Sequence, residues 1–551
     1  MPSCLSFASV ISAWSKSPHQ EAAVRAHAFL DNLEQLHNSG MLLDVEPDRI
    51  SYNTVISGYQ RSESPGAAEE AERVFNSLQK QYEETNDKRY QPDVVTICSL
   101  LGAYANKGNA HRAEELLLQV YKKSSDKNNI VPDSSCFDQV LLAWAKKGSE
   151  RSARRAEMLL KLMEDISSSK PSLAPTTSTC NIVLYALSNS GDFSAPFRAQ
   201  ILLERMKSGE LGKKVRPDTV TWTTTISVIA RLGGRDTVPT IQKLFRQATE
   251  APNCKMDAVF MANVLSSLAY CNQDGALEYS VELVGKQMIQ LSIKPTLSTM
   301  NALLNVYAKK GKAEQAEAVL ESMEAGPLDP DGRSYTLVLD ALAKDESLSS
   351  IKRAESIVRR MQESKSCKPS VQAFTALIQK YARSNLPFKS KRAQVVLEQM
   401  KEGASSLPTI VTYNALLNAC EYTDSNDLKE KEEAFAIACL TFDEIRKHES
   451  INPTHVTYGS FIGSVTALMP RSDARNEIAE LVFKRAKQDG QVSQYVLRKL
   501  KSSVSLSTYK RMLGGRREDS LPASWTIDVR ERKSSRSTVQ RKPSTTQSGS
   551  H

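Results

Sequence analysis

One segment near the middle of the chain, from Leu297 to Asp331, divides into two short helices joined by a turn. On either side of Gly311, apolar residues recur three and four positions apart, which is the spacing of one helical face. Gly311 is typical of a helix end, Pro330 ends the second helix, and Asp331 is placed to cap the next one. Because each helix has a single apolar face, the segment predicts a unit that is stable only when it is stacked on others.

The same unit recurs about twelve times, at intervals of roughly 35 to 45 residues, which is the range of helical-repeat arrays. Its first helix opens with motifs such as SYNTVI at Ser51, TMNALL at Thr299 and TYNALL at Thr412. A Pro followed by Asp, Thr or Ser usually stands a few residues earlier. A length of 551 residues is too great for one globular core and ordinary for a solenoid. The sequence therefore predicts an all-α repeat protein.

These residues resemble the pentatricopeptide repeat family, whose units read V-T-Y-N-x-L-I, then K-x-G, then A-x-x-L/V-L/F-x-x-M, then P-D. The resemblance extends from about residue 5 to about residue 490, and Leu297–Asp331 has the family's typical length. It implies a pure-repeat (P-type) protein that forms a right-handed superhelical solenoid of about twelve helix-turn-helix repeats. It also implies sequence-specific binding of single-stranded RNA, one base per competent repeat, in organellar RNA processing, stability or translation.

The composition predicts three parts. Residues 1–490 form the repeat array, residues 491–513 form a C-terminal capping helix, and residues 514–551 form a disordered basic tail, because they are rich in Ser, Thr and Arg and poor in apolar residues. Residues 501–551 carry 11 Lys and Arg against 4 Asp and Glu, so most of the net charge of +9 lies there. Such a tail either contacts phosphates non-specifically or only keeps the protein in solution.

The first repeat begins at once after Met1, with neither an Arg-rich leader nor a polar cap. This favours a start downstream of the true one; the family resemblance implies a mitochondrial or plastid protein, and a cytoplasmic location is the alternative. The nine cysteines contain no C-x-x-C pair, which argues against a disulfide framework and a zinc site. No apolar run approaches the roughly 20 residues that span a bilayer, so no membrane partner is expected.

The residue two places after the Thr or Ser that opens each motif is the main candidate for recognition. An amide or hydroxyl that is presented once per repeat into a groove suits the reading of one base edge per repeat. In the family, this residue and the last residue of the repeat are implied to choose the base. The candidate base-reading residues are Asn53, Asp93, Asn181, Asp218, Thr223, Asp257, Asn301, Asp331, Thr336, Thr375, Asn414 and Thr454. The alternative for Asp93, Asp218 and Asp331 is an N-cap, and the two roles are compatible.

The family's preferences imply uracil opposite Asn53/Asp93, Asn181/Asp218 and Asn301/Asp331. They imply guanine opposite Thr223/Asp257 and a pyrimidine opposite Asn414/Thr454. Cys98, Asp138, Ala262 and Gly459 depart from the family's readable residues, and we expect those units to provide packing or spacing. The register is least certain in the long units around residues 230–290.

A second candidate set lies eight residues beyond the reading position. In the family this place is implied to approach the RNA backbone, where Lys or Arg would neutralise phosphate. The alternative is an exposed charge near a helix C-terminus, which the helix dipole favours. The candidate phosphate-binding residues are Lys16, Arg61, Lys146, Arg231, Lys309, Lys344 and Arg383.

Two other functions remain open. A protein-binding scaffold of the tetratricopeptide type would not need a ladder of Asn and Thr, and that family's Trp/Leu-Gly/Tyr signature is absent. The chain could also be the RNA-binding half of an enzyme with its catalytic part elsewhere. No phosphate-binding loop, H-E-x-x-H or G-x-S-x-G motif is present. We therefore expect no catalytic activity, no cofactor and no bound metal. The expected partners are single-stranded RNA and RNA-processing enzymes.

Overall fold

The computed structural model describes residues 4–39, 47–123, 130–273, 275–345, 347, 349–364, 367–402, 407–448, 450–518 and 521–529. None of these residues lies in a β-strand. Helices follow one another in pairs, and we name the first helix of a pair A and the second B. Across the described part of the chain there are twelve such pairs, which confirms the predicted all-α fold of about twelve helix-turn-helix repeats. No helix among these residues is long and apolar enough to cross a membrane.

The A helices are α1 (Cys4–Lys16), α3 (Arg49–Arg61), α5 (Val94–Asn106), α7 (Ser134–Lys147), α9 (Thr177–Ser188), α11 (Thr219–Leu232), α13 (Ala258–Leu268), α16 (Leu297–Lys310), α18 (Gly332–Leu342), α20 (Val371–Arg383), α22 (Ile410–Glu421) and α24 (His455–Leu468). The B helices are α2 (Ala22–Asn38), α4 (Ala67–Thr85), α6 (Ala110–Lys123), α8 (Glu150–Ser167), α10 (Ala195–Ser208), α12 (Thr237–Glu250), α14 with α15 (Ala276–Glu282 and Met288–Gln290), α17 (Ala313–Ala325), α19 (Ser349–Glu363), α21 (Lys389–Glu402), α23 (Leu428–Lys447) and α25 (Asp473–Gln488). Two further helices, α26 (Gln494–Ser503) and α27 (Leu506–Met512), follow the last pair.

Most A helices begin at a side chain that caps them. In α5, the Asp93 carboxylate accepts the backbone N–H of Thr96, and the Thr96 hydroxyl lies 3.0 Å from the Asp93 N–H. The same reciprocal arrangement starts α11 at Asp218 and α18 at Asp331. It satisfies two backbone donors that a helix start would otherwise leave without partners. The Pro-Asp pairs in the sequence therefore mark where each repeat begins.

The B helices carry the apolar spine that the sequence predicts. In α8, Ala156, Leu159, Leu160 and Met163 are all buried. In the region of uncertain register, α12 buries Val238, Ile241, Leu244 and Phe245 at the same helical spacing. The next B helix is interrupted by a π-helical turn over Leu283–Gln287, which joins α14 to α15. That turn explains why the sequence between Asn272 and Leu291 fits the repeat pattern poorly, because it shifts the register of the buried face.

The chain divides into two compact units, Met1–Val306 and Tyr307–His551. Within the first unit, each A helix from α1 to α13 contacts the next A helix, and most B helices also contact the following A helix. Within the second unit, α18, α20, α22, α24 and α26 contact one another in the same order. Every interior helix is thus packed between its neighbours, and a nearly continuous apolar core runs through the pairs of the first unit.

Ion pairs join successive B helices along the edge of this packing. Arg155 of α8 binds the carboxylate of Glu114 on α6 with its Nε 2.8 and 3.0 Å from the two oxygens. Arg353 of α19 binds Glu317 of α17 in the same two-oxygen manner. In each ion pair the two partners come from adjacent repeats, so the contact favours one spacing between neighbouring helix pairs.

The C-terminal part differs from the prediction in two ways. The expected single capping helix over 491–513 is two helices, α26 and α27, because Ser505 caps a new helix directly after Val504. The predicted disordered tail also begins too early, since residues 521–529 lie against the last repeat. There, the Trp525 carbonyl accepts the Val492 N–H at 2.8 Å, and its ring meets Phe483 edge-on. Residues 530–551 of the predicted tail lie outside the described residues.

We expect Trp525→Ala to release residues 521–529, because the indole supplies the apolar contact of this segment. The amide of Val492 should then exchange with solvent faster, and trypsin should cleave sooner after Arg517. The free energy of unfolding should fall by about 1 to 2 kcal/mol. Ser524→Ala, at an exposed position of the same segment, is the matched control. Equal exchange and cleavage rates in both variants would contradict the assignment.

Candidate nucleic-acid interface

The fifth residue of an A helix, the reading position, meets the N-cap of the next A helix. Asn181 of α9 shows this in full: its Nδ2 donates to the two Asp218 oxygens at 3.1 and 3.4 Å. Its Oδ1 accepts the Thr221 hydroxyl at 2.7 Å. The carboxylate that starts α11 therefore also orients the amide of the previous repeat. The structure brings this predicted pair together.

Asn53 and Asp93 form the equivalent pair three repeats nearer the N-terminus, with Nδ2 3.2 Å from Oδ1. Burial alone would raise the pKa of the Asp93 carboxyl, but hydrogen bonds from Thr96 and Asn53, and the nearby Arg49, hold that pKa below its usual value. The carboxylate is therefore charged at neutral pH. The Asn53 Oδ1 is buried and has no hydrogen-bond partner, whereas the equivalent oxygen of Asn181 has one.

In the second unit, the Nδ2 of Asn414 lies 3.5 Å from the Thr454 hydroxyl, and its Oδ1 accepts the Thr457 hydroxyl at 2.8 Å. Asn301, Thr375 and Asn414 expose only 6%, 7% and 8% of their surface. The sequence analysis instead expected side chains that project freely into a groove. Thr375 is hydrogen-bonded to Thr412, and Asn414 is hydrogen-bonded to Thr457. Both partners are threonines at the start of the following A helix.

The threonines at the reading position behave differently from the asparagines. The hydroxyls of Thr223, Thr336 and Thr375 each bond to the carbonyl four residues earlier in their own helix. Since the hydroxyl proton is used there, the oxygen can offer only acceptor capacity to a ligand. Asp257, the predicted partner of Thr223, instead accepts the backbone N–H groups of Val259 and Phe260.

Two of the non-standard reading positions have a clear structural context. Gly459 lies under the ring of Tyr495, which comes from α26 and occupies the space that a side chain would need. Asp138 of α7 is largely buried, and its Oδ1 has no hydrogen-bond partner. Burial raises the pKa of the Asp138 carboxyl to about 6, with a smaller contribution from the charge of Asp133.

The seven candidate phosphate-binding residues are all exposed, and all lie at or near the C-terminal end of an A helix. Three of them reach back to the end of the preceding A helix. Arg61 donates to the Ser15 carbonyl at 3.1 Å, Lys146 to the Asn106 Oδ1 at 2.7 Å, and Lys344 to the Lys309 carbonyl at 2.8 Å. These contacts match the alternative of charges that complement helix C-termini, and the cations still face solvent.

Arg231 lies in a groove that three successive A helices share. The groove across α9, α11 and α13 is lined by Thr223 of the reading position, Arg231, and the exposed aromatic rings of Tyr185 and Tyr270. The Arg231 guanidinium lies 5.4 Å from the centre of the Tyr270 ring. A predicted reading residue and a predicted phosphate residue thus line one surface.

Sequence reasoning missed two sets of exposed residues on or next to the A helices. The second residue of five A helices is an aliphatic side chain that is more than half exposed, which is unusual beside an apolar core. These residues are Ile50, Val95, Val220, Val259 and Val411. Tyr270 and Tyr422 take the place that a cation has in other repeats, and about half of each side chain is exposed. Alignment of the repeats by their Pro-Asp caps would have found both sets.

Stacked helix pairs in which equivalent positions recur from one pair to the next define an α-helical repeat protein. The family model described as Pentatricopeptide repeat domain matches residues 80–132 and 356–421, and the PPR repeat family matches residues 295–344. These three stretches of the chain are therefore similar to pentatricopeptide repeats. A side-chain cap begins most A helices, and the reading position recurs as the fifth residue of each A helix.

Individual relatives are similar over short stretches. A pentatricopeptide repeat-containing protein of Arabidopsis thaliana is 26% identical over 157 residues, which are 27% of this chain and 24% of that protein. The chloroplastic pentatricopeptide repeat-containing protein 10 of Zea mays is 27% identical over 135 residues, 24% of this chain and 16% of that protein. The chain spans about a fifth of the length of the curated relatives it matches. The crystal structure of PPR10 with an 18-nucleotide psaJ RNA element has a TM-score of 0.44 and 19% identity, over 95% of this chain and 75% of that chain.

We expect Asp138→Asn to stabilise the protein near neutral pH. The folded protein holds the Asp138 proton more tightly than the unfolded chain does, so the stability of the parent falls as pH rises from about 4 to about 6. The Asn variant lacks this loss, and its free energy of unfolding at pH 7.5 should exceed that of the parent by about 2 kcal/mol. At pH 4 the advantage should nearly vanish.

Denaturant titrations at pH 4, 6 and 7.5 measure this difference. Asp165→Asn, which removes an exposed carboxylate, is the control and should show no comparable pH dependence. An advantage of Asp138→Asn that stays constant across the three pH values would mean that the carboxyl does not titrate in this range.

Proposed function

We propose that this protein binds single-stranded RNA along the surface formed by its A helices, with about one base for each competent repeat. The observation that carries the proposal is the pairing of a reading-position amide with the next N-cap, as in Asn181 with Asp218 at 3.1 Å. The pairing recurs in Asn53 with Asp93, three A helices away in the same unit. A binding surface that repeats with the fold suits a polymer ligand whose monomers also repeat.

The remaining hydrogen-bonding capacity of these side chains suits base edges. The Asn181 amide uses one N–H on Asp218 and one lone pair on Thr221, so one donor and one acceptor remain. Uracil presents an N–H beside carbonyl oxygens, which such an amide can match. The Thr223 hydroxyl donates a hydrogen bond to the Thr219 carbonyl and keeps acceptor capacity, which suits the N–H groups of guanine. These assignments agree with the preferences that the family resemblance implies.

The shared groove supplies the other contacts that single-stranded RNA needs. Arg231 is exposed at one end of the groove, where its charge can neutralise a phosphate. Tyr185 and Tyr270 can stack on unpaired bases, which is the usual aromatic contribution to single-strand binding. Val220 and Val259, exposed at the second helix position, can cover the faces of a base held at the reading position. A duplex would offer neither free faces nor free pairing edges.

We further propose an organellar role, mitochondrial or plastid, in RNA processing, stability or translation, without catalysis by this chain. The matches to pentatricopeptide repeat models and the similarity to the chloroplastic maize protein support the proposed compartment. The maize protein PPR10 was solved with an RNA element, and RNA is the ligand we propose here. Within this proposal, the chain shields or remodels a transcript, or recruits RNA-processing enzymes to it. The tetratricopeptide alternative, a peptide-binding scaffold, does not account for the amides held against successive N-caps.

We expect the full chain to bind single-stranded RNA much more tightly than a duplex of the same sequence in gel-shift titrations. Arg231→Gln should weaken single-strand binding several-fold for every sequence and reduce the salt slope of the affinity by about one unit, since one phosphate contact is lost. Arg154→Gln, on an exposed face of a B helix, is the control and should change neither. Equal affinity for both RNA forms would refute the proposal.

We expect Asn181→Thr, with Asp218 retained, to move the preference at one nucleotide from uracil towards guanine. The shift should be about 1 kcal/mol, the net worth of one hydrogen bond. Affinities for four RNAs that differ only at that nucleotide measure it. Asn76→Thr, at an exposed position of the B helix α4, is the control. A uniform loss on all four RNAs would show that Asn181 has only a structural role.

A further inference from the structure

Two cysteines from neighbouring A helices lie in direct contact. The Sγ atoms of Cys98 on α5 and Cys136 on α7 are 2.7 Å apart. That is well inside the non-bonded separation of about 3.5 to 4.0 Å that carbon-sized atoms adopt in a packed interior. Cys136 is buried and Cys98 is half-buried, so one of the two thiols can be reached from solvent.

The repeat itself imposes this contact. Cys98 occupies the reading position, and Cys136 is the third residue of the next A helix. At three other junctions the same two positions are hydrogen-bonded: Asn181 with Thr221 at 2.7 Å, Thr375 with Thr412 at 2.9 Å, and Asn414 with Thr457 at 2.8 Å. The fold thus brings these positions together whichever side chains they carry. Only at this junction, among the described residues, does a Cys occupy both.

We propose that Cys98 and Cys136 form a reversible disulfide that links two adjacent repeats at a reading position. The oxidant is a small-molecule disulfide such as oxidised glutathione. The Cys98 thiolate attacks one sulfur of that disulfide, and the other sulfur leaves as a thiolate. The Cys136 thiolate then attacks the Cys98 sulfur and releases the second glutathione. The two protons lost by the cysteines go to the two glutathione thiols, so the protein is oxidised by two electrons.

The disulfide would change the chemistry of this repeat. In the reduced protein the Cys98 Sγ lies 3.9 Å from the Asp133 Oδ1, in the place where Asn181 contacts Asp218. A disulfide removes the S–H donor and draws the sulfur towards α7. The repeat then presents no donor at its reading position, and the spacing of α5 and α7 becomes fixed. The disulfide itself does not depend on RNA binding, whereas this consequence rests on the proposed function.

A metal site is the competing use of the same side chains. Ligand atoms of Cys98, Asp133 and Cys136 all lie within 4.8 Å of one another. However, the Asp133 Oδ1 accepts the Cys136 N–H at 3.1 Å as the cap of α7. A structural zinc ion needs four ligands, with each sulfur about 2.3 Å away, and two such sulfurs would lie farther apart than 2.7 Å. Forming a bond between the two sulfurs therefore requires a smaller movement of the side chains than binding a zinc ion would.

The experiment uses the purified full-length chain, equilibrated with glutathione at a series of oxidised-to-reduced ratios, alkylated, and digested without reduction. At some oxidised-to-reduced glutathione ratios, mass spectrometry is expected to find the peptide of Cys98 joined to the peptide of Cys136. At those same ratios Cys254 and Cys367 should still be alkylated. Oxidation should also raise the melting temperature by several degrees, because the bond closes a long loop of the unfolded chain. Both changes should reverse with dithiothreitol.

Cys136→Ser and Cys98→Ala are the test variants, because other repeats carry Ser334 and Ala262 at these positions. Both should fold, form no such linked peptide and show no redox-dependent melting. Cys367→Ser is the control and should behave like the parent. The proposal is overturned if Cys98 and Cys136 are alkylated at every glutathione ratio at which Cys254 is alkylated. It is also overturned if Cys98 forms only a mixed disulfide with glutathione. One bound zinc per chain in native mass spectrometry, lost in Cys98→Ala, would also overturn it.

RNA affinity separates this proposal from the proposed function. If both hold, the oxidised parent should bind its preferred RNA about fivefold more weakly than the reduced parent, and Cys136→Ser should show no such difference. If the disulfide forms and no RNA binds in either state, the proposed function fails and the thiol pair stands. If RNA binds equally in both states with the disulfide formed, the effect on the reading position is overturned.

Discussion

Each helix pair can bury its apolar faces only against the pairs before and after it. Tyr52 and Ile56 of α3 are fully buried, yet no single pair encloses them. Stability is therefore a sum of interfaces between neighbours, and an interior pair has no independent fold. This dependence also fixes the distance between reading positions, because the packing of one A helix on the next sets how far apart their polar residues lie.

The N-cap of an A helix couples this packing to the polar surface. Asp218 starts α11 by accepting the Thr221 N–H, and the same carboxylate holds the Asn181 amide of the preceding repeat. A substitution at Asp218 would therefore affect both the helix start and the orientation of the amide. The junction of Cys98 and Cys136 uses the same geometry with sulfur in place of oxygen and nitrogen. The proposed recognition chemistry and the stability of the repeat thus depend on the same few atoms.

The cations near the ends of the A helices show how one position can serve two purposes. Arg61 and Lys344 donate to backbone carbonyls of the preceding A helix, so part of their role is structural. Arg231 instead lies beside Tyr270 in a groove that also contains Thr223. Residues with equal spacing in the sequence therefore differ in how much of their charge is available to a ligand. This availability differs because each cation contacts a residue of an adjacent repeat, and that residue is not the same in every repeat.

The sequence alone determined the fold class, the number of repeats and the start of most A helices, because apolar spacing and Pro-Asp caps are local signals. The pairing of Asn181 with Asp218 was implied by the resemblance to the pentatricopeptide repeat family, which repeat length alone does not give. Only the tertiary structure decided that Asn301, Thr375 and Asn414 are nearly buried and that the ring of Tyr495 covers Gly459. It alone brought Trp525 back onto the last repeat and the Cys98 sulfur onto Cys136. Those outcomes depend on contacts between residues far apart in the chain, and no local pattern records them.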